Sequence, residues 1–209
     1  MLKFLGKLLN RHLTMAVEPI DVNVPEEEII GLLPSTNQVE LLRRKKKLQD
    51  FLRFATRQLD KNESQRLCRV AKRVLADFED SFEALSDVLL DTDGQRRGHW
   101  VLMQLDWRDR EEIVWQVSEI LFTFGISERW EHDCGAEFRS TSEALQALSD
   151  WLSEKELALL HFETNSDFYC SMIVRTSEVS AAKQLALDAQ LTLYDHAEFF
   201  GANTWRSQA

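Results

Sequence analysis

Apolar residues recur every three to four positions along most of this 209-residue chain. Every-second spacing is confined to short stretches in the C-terminal half. The first spacing is helical and the second is that of a strand. Leu2, Leu5, Leu9 and Leu13 share one face of an amphipathic helix over residues 1–15, with Lys3, Lys7 and Arg11 elsewhere on it. Residues 16–36 hold all three prolines and five acids with no basic residue, and read as a linker. Leu41, Leu48, Leu52, Ala55 and Leu59 then form one helical face. A second runs from Leu67 through Val70, Ala71, Val74, Leu75, Phe78, Phe82 and Leu85 to Leu89. A short polar turn, Asp60 to Glu63, joins them, with Asn62 as the expected N-cap. Two long helices so joined predict an antiparallel helical hairpin over residues 37–91.

The pattern breaks at Asp91–Gly98, and a new region begins. His99 to Leu105 is apolar and of strand length. Asp109 and Glu112 have the spacing of a capping box for a helix carrying Ile113, Val117, Ile120 and Leu121, which Gly125 would end. Residues 126–133 fit either a strand or a loop. Ser140 and Glu143 open another helix, with Leu145, Leu148 and Leu152. Ala158, Leu160 and Phe162 alternate on one face of a strand, and Phe168, Cys170, Met172 and Val174 on one face of its hairpin partner, across Thr164–Asp167. A helix with Val179, Ala182, Leu185 and Ala186, a short strand at 191–193 and a tail over 196–209 complete the chain. The expected class is α+β: a helical hairpin followed by a ferredoxin-like β-α-(α)-β-β-α-β sandwich over 98–195 that folds without the hairpin.

Charge divides the chain more sharply than its net value of −10 suggests. Residues 37–73 hold twelve basic and four acidic residues, whereas 74–209 hold ten basic and twenty-six acidic ones. The run Arg43, Arg44, Lys45, Lys46, Lys47 is a candidate interaction surface. On a helix, however, five consecutive cations point around most of the circumference, and the acidic remainder would repel a polyanion. Nucleic-acid binding through residues 43–57 is therefore the weaker reading, behind a solvated or internally paired face and behind a protein partner. Three cysteines, odd in number and far apart, suit a reducing compartment. No stretch is long and apolar enough to span a bilayer, and Lys7 and Arg11 interrupt a secretory signal. The expectation is a cytoplasmic protein, with membrane-surface contact by residues 1–15 a minor alternative.

Candidate chemistry is sparse. Asp106 and Asp167 stand at strand ends, where carboxylates can act as general acid, base or metal ligand, although helix capping and turn formation use the same residues. His132 and Cys134 are metal-ligand types but supply two of the four ligands a zinc site needs, and Cys68, Cys170, His161 and His196 could add to them only through tertiary contacts. Cys170 with His161 has the composition of a nucleophile and base, but Cys170 falls on an apolar strand face. No phosphate loop, nucleophile elbow or paired Cys-x-x-Cys is present, and no cofactor is expected. Six tryptophans are many for this length. Trp107, beside a helix, and Trp205, in a polar tail, are the aromatic residues placed as docking candidates.

The segments Trp100–Glu112 (WVLMQLDWRDREE) and Phe162–Tyr169 (FETNSDFY) resemble a family of uncharacterised bacterial proteins, over roughly residues 98–195. The resemblance implies a bacterial cytoplasmic origin and transfers no catalytic residue. The chain thus reads as a non-enzymatic interaction module of regulatory, adaptor or immunity type. A small enzyme using the strand-end carboxylates is the alternative.

Overall fold

A computed structural model describes residues 36–74, 80–91 and 93–202. The helix expected at 1–15, the linker and Trp205 lie outside these residues. The chain divides into two compact units, 1–39 and 40–209, and nearly everything described belongs to the second.

Where two long helices are expected, there are three: α1 (Thr36–Ala55), α2 (Lys61–Val74) and α3 (Ser81–Leu90). The side chain of Asp80 accepts from the N–H groups of Phe82 and Glu83, so a new helix starts there although the apolar period runs on. The cap of α2 is Asp60, not Asn62. Its Oδ1 accepts from the Asn62 and Glu63 amides at 2.8 and 3.1 Å.

The remaining elements are β1 (Met103–Asp106), α4 (Glu112–Thr123), α5 (Cys134–Glu137), α6 (Thr141–Ser153), β2 (Leu157–Phe162), β3 (Phe168–Arg175), α7 (Val179–Asp188), β4 (Leu193–Asp195) and α8 (His196–Ala202). Apart from the one-turn α5, the order through β4 is the expected one. Residues 126–133 form no strand, and α8 occupies part of the expected tail. The anticipated capping box at α4 is absent, because Glu111 is the N-cap and makes no side-chain cap bond. Its C-terminus does close on glycine. Gly125 adopts φ +71°. Its N–H reaches the Phe122 carbonyl at 3.0 Å, and the Ile126 N–H reaches Leu121 at 3.0 Å, which is a Schellman closure.

The sheet is antiparallel throughout, in the order β1-β3-β2-β4. This is not the ferredoxin-like arrangement, in which the fourth strand returns beside the first. Here β1 and β2 are parallel with β3 between them, and β3 and β4 are parallel with β2 between them. The connection from β1 to β2 uses α4 and α6, which pack with Met103, Leu105, Leu157, Leu159 and Ile173 on one face. The connection from β3 to β4 uses α7, whose Ala182 and Ala186 join Leu160, Phe162, Cys170, Met172 and Val174 on the other. Right-handed crossovers that start from oppositely directed strands and advance the same way across a sheet must use opposite faces. By placing its alanines on the second face, α7 delivers β4 to the β2 edge.

Both faces of the sheet are therefore covered. The α7 face is completed by Leu48, Phe51, Leu52 and Ala55 of α1 with residues of α2 and α3. Phe51 meets Phe162 edge to face, with ring centroids 5.9 Å apart. Helices α1 and α7 are also joined by ions. Lys47 Nζ donates to Asp188 at 2.7 Å, and ten residues along each segment Arg57 grips both carboxylate oxygens of Glu178. The two pairs cross in opposite sequence directions, so α1 runs antiparallel to α7.

Candidate functional site

The sheet face under α6 and α8 carries a buried polar chain. In β2, His161 shares a face with Leu157 and Leu159. In β3, its registered partner is Ser171. The Ser171 hydroxyl lies 2.8 Å from His161 Nδ1, His161 Nε2 lies 3.0 Å from His196 Nδ1, and His196 Nε2 lies 3.0 Å from Gln146 Oε1. For neutral rings, one proton arrangement satisfies every contact. His196 donates to the Gln146 oxygen, His161 donates to His196, and Ser171 donates to His161, with both rings neutral.

Burial accounts for that neutrality. Ser171 and His161 are fully buried and His196 nearly so. Burial, reinforced by the neighbouring His196, pushes His161 down to about 3. Burial also lowers His196, against the opposing pull of Asp150 and Asp195. Phe199 of α8 stacks on the His161 ring at 4.7 Å, and Phe200 packs edge-on at 5.8 Å. A serine facing an imidazole has the composition of a nucleophile and base. A base that holds a proton only near pH 3, beneath two phenylalanines, is poorly suited to that work. What the chain does hold is β2, β3, α6 and α8 in one register.

The Cys170–His161 pairing does not form. Cys170 points into the opposite core, where burial raises its thiol far above the ordinary range. The residue that meets His161 is the next one along. Strand alternation carries that signal: if Cys170 shares a face with Leu160 and Phe162, then His161 faces the side of Ser171.

The other candidates are scattered. Asp106 ends β1 and pairs in register with Phe168, the neighbour of Asp167, so both carboxylates stand exposed at one end of the sheet. Asp106 is engaged in a turn, accepting from the Arg108 amide at 2.9 Å. His132 bonds Glu137 at 2.6 Å and packs beside the stacked rings of Trp130 and Phe138, at 4.8 and 5.6 Å. Cys134 opens the one-turn α5, and its side chain lies outside the described residues. Among the described residues, no three His, Cys, Asp or Glu side chains come together in a way that could hold a metal. In the basic run, Lys47 is tied to Asp188 and Arg43 lies 4.0 Å from Glu40. Arg44 and Lys45 are half-buried and Lys46 is exposed, so the five cations take different directions.

Trp107 is 40% exposed, lies under the Arg108 guanidinium at 4.4 Å, and accepts at its carbonyl from Thr141. The larger aromatic surface is one that sequence reasoning missed, on the outside of α4. Trp115 is 43% exposed and Phe122 is 69% exposed. Seven residues apart, they lie on one helical stripe. The loop before β1 runs beside them. Trp100 meets Trp115 edge to face at 4.8 Å, the Thr123 hydroxyl donates to the Trp100 carbonyl at 2.9 Å, and the Gly98 N–H donates to Glu119. Gly98 has φ +74°, and a Cβ there would lie 3.3 Å from the Phe122 ring. The Trp115 indole N–H is satisfied by Glu112.

The DUF6630 family, described as a domain of unknown function, matches residues 27–197, and the chain belongs to it. No curated protein and no solved structure matches the chain. No helix among the described residues is long and apolar enough to cross a membrane.

Proposed function

We propose that this protein is a non-enzymatic interaction module, of regulatory, adaptor or immunity type, that binds a protein through the outer face of α4. One observation carries the reading. Trp115 and Phe122 stand exposed on one stripe, backed by Trp100, while the comparable aromatics Phe51, Trp130 and Phe162 are buried. Large aromatics held in a fixed position at the surface have the chemistry of interface anchors. A bacterial, cytoplasmic setting belongs to the same proposal and is supported by the unpaired thiols of Cys68 and Cys170.

The alternatives have less support. An enzyme built on Asp106 and Asp167 would use two exposed carboxylates, one already bonded within a turn. Nucleic-acid binding by α1 would compete with the engagement of Lys47 by Asp188.

A photo-crosslinking amino acid at position 118, midway along the stripe, tests the proposal in cells producing the full chain. A discrete protein adduct that disappears with Phe122→Glu is expected. The absence of any adduct would overturn the reading.

A further inference from the structure

Resting on that reading, we infer that the partner of the α4 face is a second copy of this chain, bound about a two-fold axis near Ser118. Glu111, Trp115, Ser118 and Phe122 are spaced by four, three and four residues, the interval that keeps side chains in line on a helix packed against another helix. The line has an acid at its N-terminal end, where Glu111 precedes α4 and Glu112 begins it. At the Phe122 end the preceding loop supplies a base. The Gly98 amide bonded to Glu119 sets that loop against the helix, and the Arg97 guanidinium lies 3.8 Å from Glu119 with its side chain 96% exposed.

Read in one direction, the stripe is acid, aromatic, small, aromatic, base. Read in the other, it is the mirror of that series, which is what an isologous contact requires. Antiparallel packing of two such helices lays Trp115 of each copy on Phe122 of the other. It also sets Glu111 against Arg97 twice. Ser118, the small residue at the centre, allows close approach of the two helices. The side-chain donors of Ser118 and Trp115 already have partners. The Ser118 hydroxyl donates to the Val114 carbonyl at 2.7 Å, and the Trp115 N–H donates to Glu112. Covering the stripe therefore strands neither donor. A partner of unrelated sequence would have no need of this reversal symmetry.

Sedimentation velocity on the full chain, up to about 100 µM, reaches well above the micromolar Kd that a contact of this modest size supports. We expect a dimer of the 24.3 kDa chain. Phe122→Glu should yield a monomer with unchanged circular dichroism, since that side chain is largely exposed. Arg97→Glu and Glu111→Arg should each weaken the dimer roughly fivefold, as expected for rim ion pairs, and the double variant should recover it. A monomeric wild type, a dimer that survives Phe122→Glu, or a double variant that does not recover overturns the inference. The crosslinker at position 118 separates this failure from that of the broader reading. An adduct with a different protein rejects the dimer alone, whereas no adduct rejects both.

Discussion

Gln116 completes the edge of the sheet by bonding twice to the backbone of Gln104. Its side-chain oxygen accepts from the Gln104 N–H at 2.9 Å, and its amide nitrogen donates to the Gln104 carbonyl at 2.8 Å. The side chain is buried and stands where a neighbouring strand would otherwise pair. Exposed strand edges invite association, and this one is closed by a single amide. Gln116→Leu would leave the partly buried N–H and carbonyl of Gln104 without these partners. We expect a loss of about 2 kcal/mol in urea unfolding, together with concentration-dependent aggregation.

Acid should destabilise the fold through His161. Its folded pKa of about 3 lies below the unfolded value of 6.5, so protons favour the unfolded chain between those limits. The stabilising contribution is complete above pH 6.5 and declines as pH falls, by about 1.4 kcal/mol per unit below that value. Urea midpoints at pH 7, 6 and 5 measure the slope. His161→Gln should lower stability at pH 7 and flatten the slope. An unchanged slope in that variant would assign acid sensitivity to other groups.

At the ends of the α1–α7 contact, the two ion pairs should differ. Arg57 hydrogen-bonds both oxygens of Glu178 and holds that carboxyl below its ordinary range. Both side chains are mostly buried. A double-mutant cycle should give a coupling of about 1 kcal/mol at pH 7. Because the folded carboxyl has the lower pKa, the coupling is present above the unfolded value and is lost as pH falls through the folded one. Lys47–Asp188, with more exposed side chains, should couple more weakly.

Residues 98–195 alone should not form a cooperative unit. Leu160, Phe162, Met172 and Val174 would lose the helices that cover them, Phe51 included. We expect the fragment to keep far-ultraviolet ellipticity, bind a hydrophobic dye and melt without a sharp transition. A steep thermal transition would show that one covered face suffices.

Duplex DNA and single-stranded RNA should not bind the full chain at about 50 mM or 200 mM salt. The dispersed cations of α1 and the acidic remainder of the chain both oppose it. Micromolar binding at the lower salt, abolished by changing Arg43, Arg44, Lys45, Lys46 and Lys47 to glutamine, would restore α1 as a nucleic-acid surface.

Local chemistry made much of the element order legible. Gly125 stops α4, Ser140 caps α6, and alternation marks β2 and β3. The strand order was not legible, because nothing near α7 in sequence says which sheet face its alanines will cover. The same limit hid the candidate sites. Ser171, His161, His196 and Gln146 come from four separate elements. Trp115 could be placed on a helix, but its exposure depends on what packs behind it. Local signals also misled where two competed, as when Asp80 opened a new helix inside an unbroken apolar period.

Strand β3 sends alternate side chains into two different interiors, Cys170, Met172 and Val174 to one and Ser171 and Ile173 to the other. A slip of one residue against β2 would set His161 opposite a cysteine or an apolar neighbour and carry the serine hydroxyl into hydrocarbon. The hydrogen bond between Ser171 and His161 thus works as an alignment pin, favouring the native register of the central hairpin over a one-residue slip.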